Sequence, residues 1–317
     1  MMTNNHSSRL LSYLQLLRIP NVFTAVADVT MGFLFVGQSI QQFPLSFIAI
    51  VAASSCLYLA GMVLNDVFDF EVDLAERPQR PLPSGRISRK TATLLGLSLM
   101  AAGLTFGWLA GFIHGGPYPL RSGILATLLA VMIVLYDGVV KKTSLAPLAM
   151  GACRLFNVLF GMSVAVNLDS LLGYTPAQWL IAGGFGVYIV GVTLLAREEA
   201  VTSRRSNLIV AACVMLTGIV MLGFFPWASL APPTRFTTAG AWPFLLFILM
   251  VSVIRRCGFA IHNPTPGNVQ VTIKQAILSL IVLNAAIILA VSATVPAVLV
   301  FSLLIPTLLL GRWVYST

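Results

Sequence analysis

The amino-acid sequence predicts an all-helical protein that crosses a membrane nine or ten times and forms one domain over residues 1–317. Three observations lead there. Of 317 residues, 58% are hydrophobic and 9% charged, more apolar surface than a water-soluble core of this length can bury. Apolar windows can be placed at about 14–36, 44–66, 91–113, 121–140, 145–167, 178–196, 207–228, 241–260, 272–291 and 293–312, each near the twenty residues a bilayer requires. Basic residues recur in the short segments between alternate windows, as the positive-inside rule expects. The four cysteines lie in or beside apolar runs without CxxC spacing and read as small hydrophobes.

The first window follows MMTNNHSSRLLSY, which has no separate short apolar region with a cleavage site, so it serves as the first span. Arg18 and Asn21 lie around LLRIPN at its start, and Asp28 falls inside it; Asn21 is a candidate pocket residue and Arg18 a candidate snorkelling anchor. The second window ends in NDVFDFEVD. A helix continued through it places Asn65, Asp69 and Asp73 at i, i+4 and i+8, with Asp66 three residues before Asp69. The four oxygen-bearing side chains then share one face over roughly 12 Å of axis. Unpaired carboxylates at a membrane boundary are costly unless cations sit on them. Hard divalent ions are their natural guests, and magnesium usually completes its shell with water and substrate phosphates. A diphosphate site follows.

The next segment, LAERPQRPLPSGR, stops the second helix with Pro78, Pro81, Pro83 and Gly85 and returns Arg77 and Arg80 toward the acids. Lys141 and Lys142 close the fourth window, where one of the pair suits a terminal phosphate. The fifth begins GACRLFNVLFG. A charged side chain inside an apolar helix faces a cavity or a partner, so Arg154 either binds a diphosphate oxygen or pairs with Asp28, and Asn157 can orient a ligand. After the sixth window stand Glu198 and Glu199, flanked by Arg197, Arg204 and Arg205. The last two windows are separated only by SATVP, which leaves the tenth as either a span or a re-entrant segment.

With the N-terminus inside, Arg121 and Arg235 fall outside and Arg154 within a span, so the remaining sixteen of the 19 basic residues collect on the inner side with the acidic motif. The net charge of +9 is thus used for topology, without the aromatic-basic interleaving or long basic arm of a nucleic-acid protein, and nucleic acid is excluded as a partner.

The pattern NDxxDxxxD followed by RPLPSGR, matched at Asn65, Asp66, Asp69, Asp73 and Arg80–Arg86, resembles the UbiA superfamily of intramembrane prenyltransferases. The resemblance implies a helical bundle around a central cavity open to the cytoplasmic side, expected in a bacterial inner membrane. It further implies a Mg2+-bound prenyl diphosphate and transfer of the prenyl group to a lipophilic acceptor, expected to be aromatic. Asn65, Asp66, Asp69 and Asp73 would hold magnesium. The family's second acidic motif, DxxxD, is replaced here by Glu198 and Glu199, the only acids available for a second ion. That departure keeps open an alternative in which the scaffold binds or transports an isoprenoid or aromatic metabolite without turnover.

Overall fold

A computed structural model of the chain describes residues 3–165, 170–197, 204–234 and 241–314. The described elements are α1 (Thr3–Leu16), α2 (Ile19–Phe35), α3 (Pro44–Phe68), α4 (Phe70–Glu76), α5 (Arg89–His114), α6 (Leu120–Gly138) and α7 (Ala146–Gly161), then α8 (Pro176–Ala196), α9 (Arg205–Gly223), α10 (Ala241–His262), α11 (Pro266–Val291), α12 (Thr294–Ser302) and α13 (Leu304–Trp313). Two short 3-10 turns complete the set, and no strand occurs among the described residues.

Local chemistry sets the helix starts. Proline stands in the first turn of α2, α3, α7, α8 and α11, where its missing N–H costs nothing. Ser88 caps α5, and Thr175 with Gln178 forms a reciprocal capping box on α8.

Among the described residues eight helices are long and apolar enough to cross a membrane, with Thr294–Trp313 counted as one, and the bent pair α1–α2 makes a ninth. The fifth sequence window yields α7, apolar but only 16 residues long. Large apolar side chains such as Leu45, Leu94, Phe112, Phe244 and Phe247 are exposed on the outside of the bundle, as lipid requires of a multi-pass integral membrane protein.

Two expectations about continuity are corrected. The first window is not one straight helix: a 42° bend separates Arg9–Leu16 from Ile19–Phe35. Pro20 supplies no N–H and restricts Ile19, while Arg18 takes the left-handed conformation, φ 46° and ψ 46°. The second helix does not run unbroken through Asp73 either. It breaks at Asp69 (φ −83°, ψ 2°). The N–H of Asp69 still donates to Asn65 O at 2.9 Å and that of Asp73 to Asp69 O at 2.8 Å, so the ladder keeps its helical spacing through the kink.

In the interior α2 packs against α3, α7 and α11, α3 lies along α5, and α8 lies along α9. The α2–α7 crossing depends on absent side chains. A Cβ on Gly161 would sit 2.6 Å from Val29 Cα, and one on Gly32 would sit 2.9 Å from the Gly161 carbonyl carbon. Such backbone approach is the packing that small residues permit between membrane helices, and it brings Asp28 of α2 to Arg154 of α7.

Candidate active site

The acidic motif sits at one end of the bundle, surrounded by four basic side chains from three stretches of the sequence. Arg18 Nη2 donates to Asp66 Oδ1 at 3.0 Å. Arg80 Nη1 lies 2.8 Å from Asp73 Oδ2 and 3.7 Å from Asp66 Oδ1. Arg77 Nη1 is 3.9 Å from Asp73 Oδ1, one helical turn away. Lys141 Nζ donates to Asn65 Oδ1 at 2.6 Å and to Asp69 Oδ2. Asn65, Asp66, Asp73 and Arg80 are buried. The expectation of unpaired carboxylates is therefore corrected: all three are neutralised by the chain's own cations, because leaving a buried carboxylate unpaired is costly.

The loop after α4 holds this arrangement. Arg86 donates to Ser12 Oγ at 3.3 Å and Gln15 Oε1 at 3.2 Å on α1, and to Gln79 O at 2.6 Å. Leu16, Leu82, Ile87, Val63 and Ala92 pack into a small apolar core beneath it. The RPLPSGR segment thus clamps α1 against α3, which places Arg18 over Asp66.

Deeper in the bundle lies a second polar cluster. Asp28 is fully buried, forms a salt bridge with Arg154, whose Nε lies 2.7 Å from its Oδ2, and accepts hydrogen bonds from Asn157 Nδ2 at 3.0 Å and Asn284 Nδ2 at 2.9 Å. Arg154 also donates to Thr24 Oγ1 and Thr24 O, each at 3.3 Å, and Ser54 Oγ donates to Asn157 Oδ1 at 2.7 Å. Of the two roles open to Arg154, the pair with Asp28 is the one its contacts realise. Asn284 was not singled out in the sequence, although a lone asparagine in LIVLNAAIIL is a signal that could have found it.

Other candidates stand apart. Asn21 is half-buried in the first turn of α2, and Lys142 is exposed. Glu198 and Glu199 lie outside the described residues. Of the residues flanking them, Arg197 Nη2 donates to Thr143 O at 3.0 Å, two residues from Lys141, and Arg205 Nη2 donates to His262 O at 3.2 Å at the end of α10.

Among the described residues no group of three or more His, Cys, Asp or Glu side chains is drawn together closely enough to cage a metal. The donors come instead as two convergent sets. Asn65 and Asp69 meet on the Lys141 ammonium, and Asp66 and Asp73 meet on one Arg80 nitrogen. Hard oxygen donors in small sets, each already gathered on a cation, fit magnesium, which takes one or two carboxylates and leaves its other positions to water and phosphate.

A profile of the UbiA prenyltransferase family matches residues 25–265. The chain belongs to that family. One relative, the digeranylgeranylglyceryl phosphate synthase of Ignicoccus hospitalis, is 34% identical over 158 residues, covering 49% of this chain and 48% of that protein, so the match spans about half of its length. A solved structure concerned with the biosynthesis of digeranylgeranylglyceryl phosphate synthase in membranes superposes with a TM-score of 0.60 at 20% identity, covering 90% of this chain and 99% of the other. A UbiA homologue from Archaeoglobus fulgidus, solved bound to GPP and Mg2+, gives a TM-score of 0.56 at 14% identity, covering 87% of this chain and 99% of that one. At these identities the two structures establish the UbiA fold.

Proposed function

We propose that the protein transfers a prenyl group from a magnesium-bound prenyl diphosphate to a lipophilic acceptor within the membrane. The observation that carries this reading is the mixing of charge at the motif, where Asp66, Asp69 and Asp73 interleave with Arg18, Arg77, Arg80 and Lys141. A purely acidic patch attracts the metal and repels the diphosphate, and a purely basic one does the reverse. A patch of both signs suits the salt of the two.

Asn65, Asp66, Asp69 and Asp73 would hold magnesium, with Glu198 and Glu199 assigned to a second ion. When bound, the metal supplies positive charge beside the diphosphate and so eases departure of the leaving group. Arg18, Arg77, Arg80 and Lys141 would take phosphate oxygens, as bidentate or point-charge donors, with Lys142 at the rim. Asn21, and Arg154 with Asn157 as held by Asp28, are assigned to the pocket wall that orients the substrates. Apolar helix faces exclude water, so that the acceptor and not solvent attacks the allylic carbon.

The UbiA relative's name, a glyceryl phosphate synthase, supports an acceptor of the glycerol-phosphate lipid kind over the aromatic acceptor expected from the motif. The basic excess at the motif end supports a cytoplasmic orientation for the site.

Purified protein incubated with radiolabelled geranylgeranyl diphosphate, Mg2+ and either a glycerol-phosphate prenyl ether or an aromatic acid decides the matter. A labelled lipid product with the former is expected, and product only with the latter restores the aromatic acceptor. Binding of the diphosphate with no product from any acceptor or from a lipid extract favours the carrier alternative that the missing DxxxD motif keeps open.

A further inference from the structure

Between α9, α10 and α11 runs a small cleft of about 90 Å³ that shares no residue with the acidic motif. Ile219 of α9, Leu249 and Val253 of α10, and Val282 and Leu283 of α11 give it apolar walls. Its polar groups are Ser252, Ser279 and Arg256. Arg256 is the anomaly. It lies within the α10 span, six residues before the helix ends at His262, which is about 9 Å of axis. Helices α9, α10 and α11 contain no aspartate or glutamate at all.

A guanidinium inside a membrane span is normally paired or saturated, as Arg154 and Arg121 show. Arg154 has Asp28 at 2.7 Å. Arg121 is fully buried and donates from Nε, Nη1 and Nη2 to four backbone carbonyls, with Tyr118 and Tyr174 against its plane. Among the described residues Arg256 uses Nη1 alone, to Gln275 O at 3.2 Å and Ser279 Oγ at 3.0 Å, and it faces no carboxylate. Arg256 lines the cleft and is half-buried. Arg255 and Lys274, both exposed, add positive charge at the same end, and Arg205 is tied there to the last carbonyl of α10.

We infer that this cleft binds a membrane lipid with an anionic phosphate headgroup, the phosphate on Arg256 and Ser279 and one chain along Val253, Leu249 and Val282. Arg256 and Leu249 are two turns apart, about 10 Å of apolar wall for the first part of a chain. Arg256 sits at the depth from which a long side chain reaches headgroup level, and a basic pocket between spans is the arrangement that holds anionic lipid. The cleft's back wall is α11, whose Leu283 lines it while the adjacent Asn284 holds Asp28, so an occupant braces the helix that supports the central cluster. This inference stands apart from prenyl transfer and survives its failure.

Native mass spectrometry of the full chain, titrated with phosphatidylglycerol or phosphatidylcholine of matched chains, tests it. Phosphatidylglycerol is expected to bind about fivefold more tightly, the worth of one interfacial basic residue. Arg256→Gln should abolish that preference, Arg256→Lys should keep most of it, and Val282→Trp, which fills the cleft, should remove the bound lipid. Equal binding of both lipids by the parent, or an undiminished preference in Arg256→Gln, overturns the proposal. Should Arg256→Gln fail to yield folded protein, Val282→Trp decides: undiminished phosphatidylglycerol binding there overturns it equally. Displacement of the lipid by millimolar inorganic phosphate would mean that the site reads free phosphate, and overturns the lipid assignment.

Discussion

Replacing Asp28 and Arg154 by leucine, singly and together, separates a buried ion pair from a ligand-binding arginine. Asp28→Leu strands the Arg154 guanidinium among Thr24 and apolar side chains, and removal of one partner of a buried pair costs about 3–5 kcal/mol. Arg154→Leu leaves a carboxylate that still accepts from Asn157 and Asn284, so its cost falls near the lower figure. In the double variant neither charge remains. Asn157 Nδ2 retains Ala25 O at 3.1 Å and Asn284 Nδ2 retains Leu280 O at 2.9 Å, so the residual penalty is about 1–3 kcal/mol, that of partly satisfied amides. The two single costs therefore exceed the double cost by about 3 kcal/mol or more, measured as unfolding free energy in mixed sodium dodecyl sulfate micelles. Costs that add to within about 0.5 kcal/mol would refute the pairing. Diphosphate affinity supplies the second readout: a double variant that binds like the parent confines Arg154 to positioning, and one that has lost binding gives it a direct contact.

Gly161→Ala places a methyl 2.6 Å from Val29 Cα and should cost about 1–3 kcal/mol by overpacking, whereas Gly258→Ala, with open space around it, should be neutral or slightly stabilising; equal thermal shifts for the two would contradict the α2–α7 contact. Arg18→Gly relieves a left-handed backbone worth about 1–2 kcal/mol while deleting the Asp66 contact. The relieved strain offsets much of the lost charged hydrogen bond to buried Asp66, about 1.5–3 kcal/mol, so the melting temperature should change little, while magnesium-dependent diphosphate binding weakens about tenfold. Lowered stability with unchanged affinity would make Arg18 structural. Alanine at both Glu198 and Glu199 should reduce turnover far more than diphosphate affinity, because the first motif still anchors the substrate; parental activity would make these glutamates ordinary surface charges.

The chain's division into spans was legible because burial in lipid demands long apolar runs, and the acidic motif because carboxylates at the end of such a run have few structural reasons to be there. What the sequence concealed were the meetings of residues far apart along it. Arg18 and Asp66 are 48 positions apart and Asn284 and Asp28 are 256 apart, distances over which spacing says nothing. Arg18 reads as an anchor until the bend at Pro20 and the clamp by Arg86 turn it onto the motif. The same holds for Lys141, whose loop suits phosphate but whose contact with Asn65 and Asp69 depends on how α6 packs against α3. The cleft beside Arg256 depends wholly on the mutual packing of three helices, which hydropathy does not encode.

The central claim is that the carboxylates of the first motif hold a magnesium–diphosphate salt. Isothermal titration of geranylgeranyl diphosphate into the purified protein, with and without Mg2+, in the parent, Asp66→Asn and Asp69→Asn, tests it directly. Binding in the parent that requires Mg2+, and its loss in both variants with their melting temperatures preserved, is the expected result. Metal-independent binding in the parent, or undiminished magnesium-dependent binding in both variants, would contradict it.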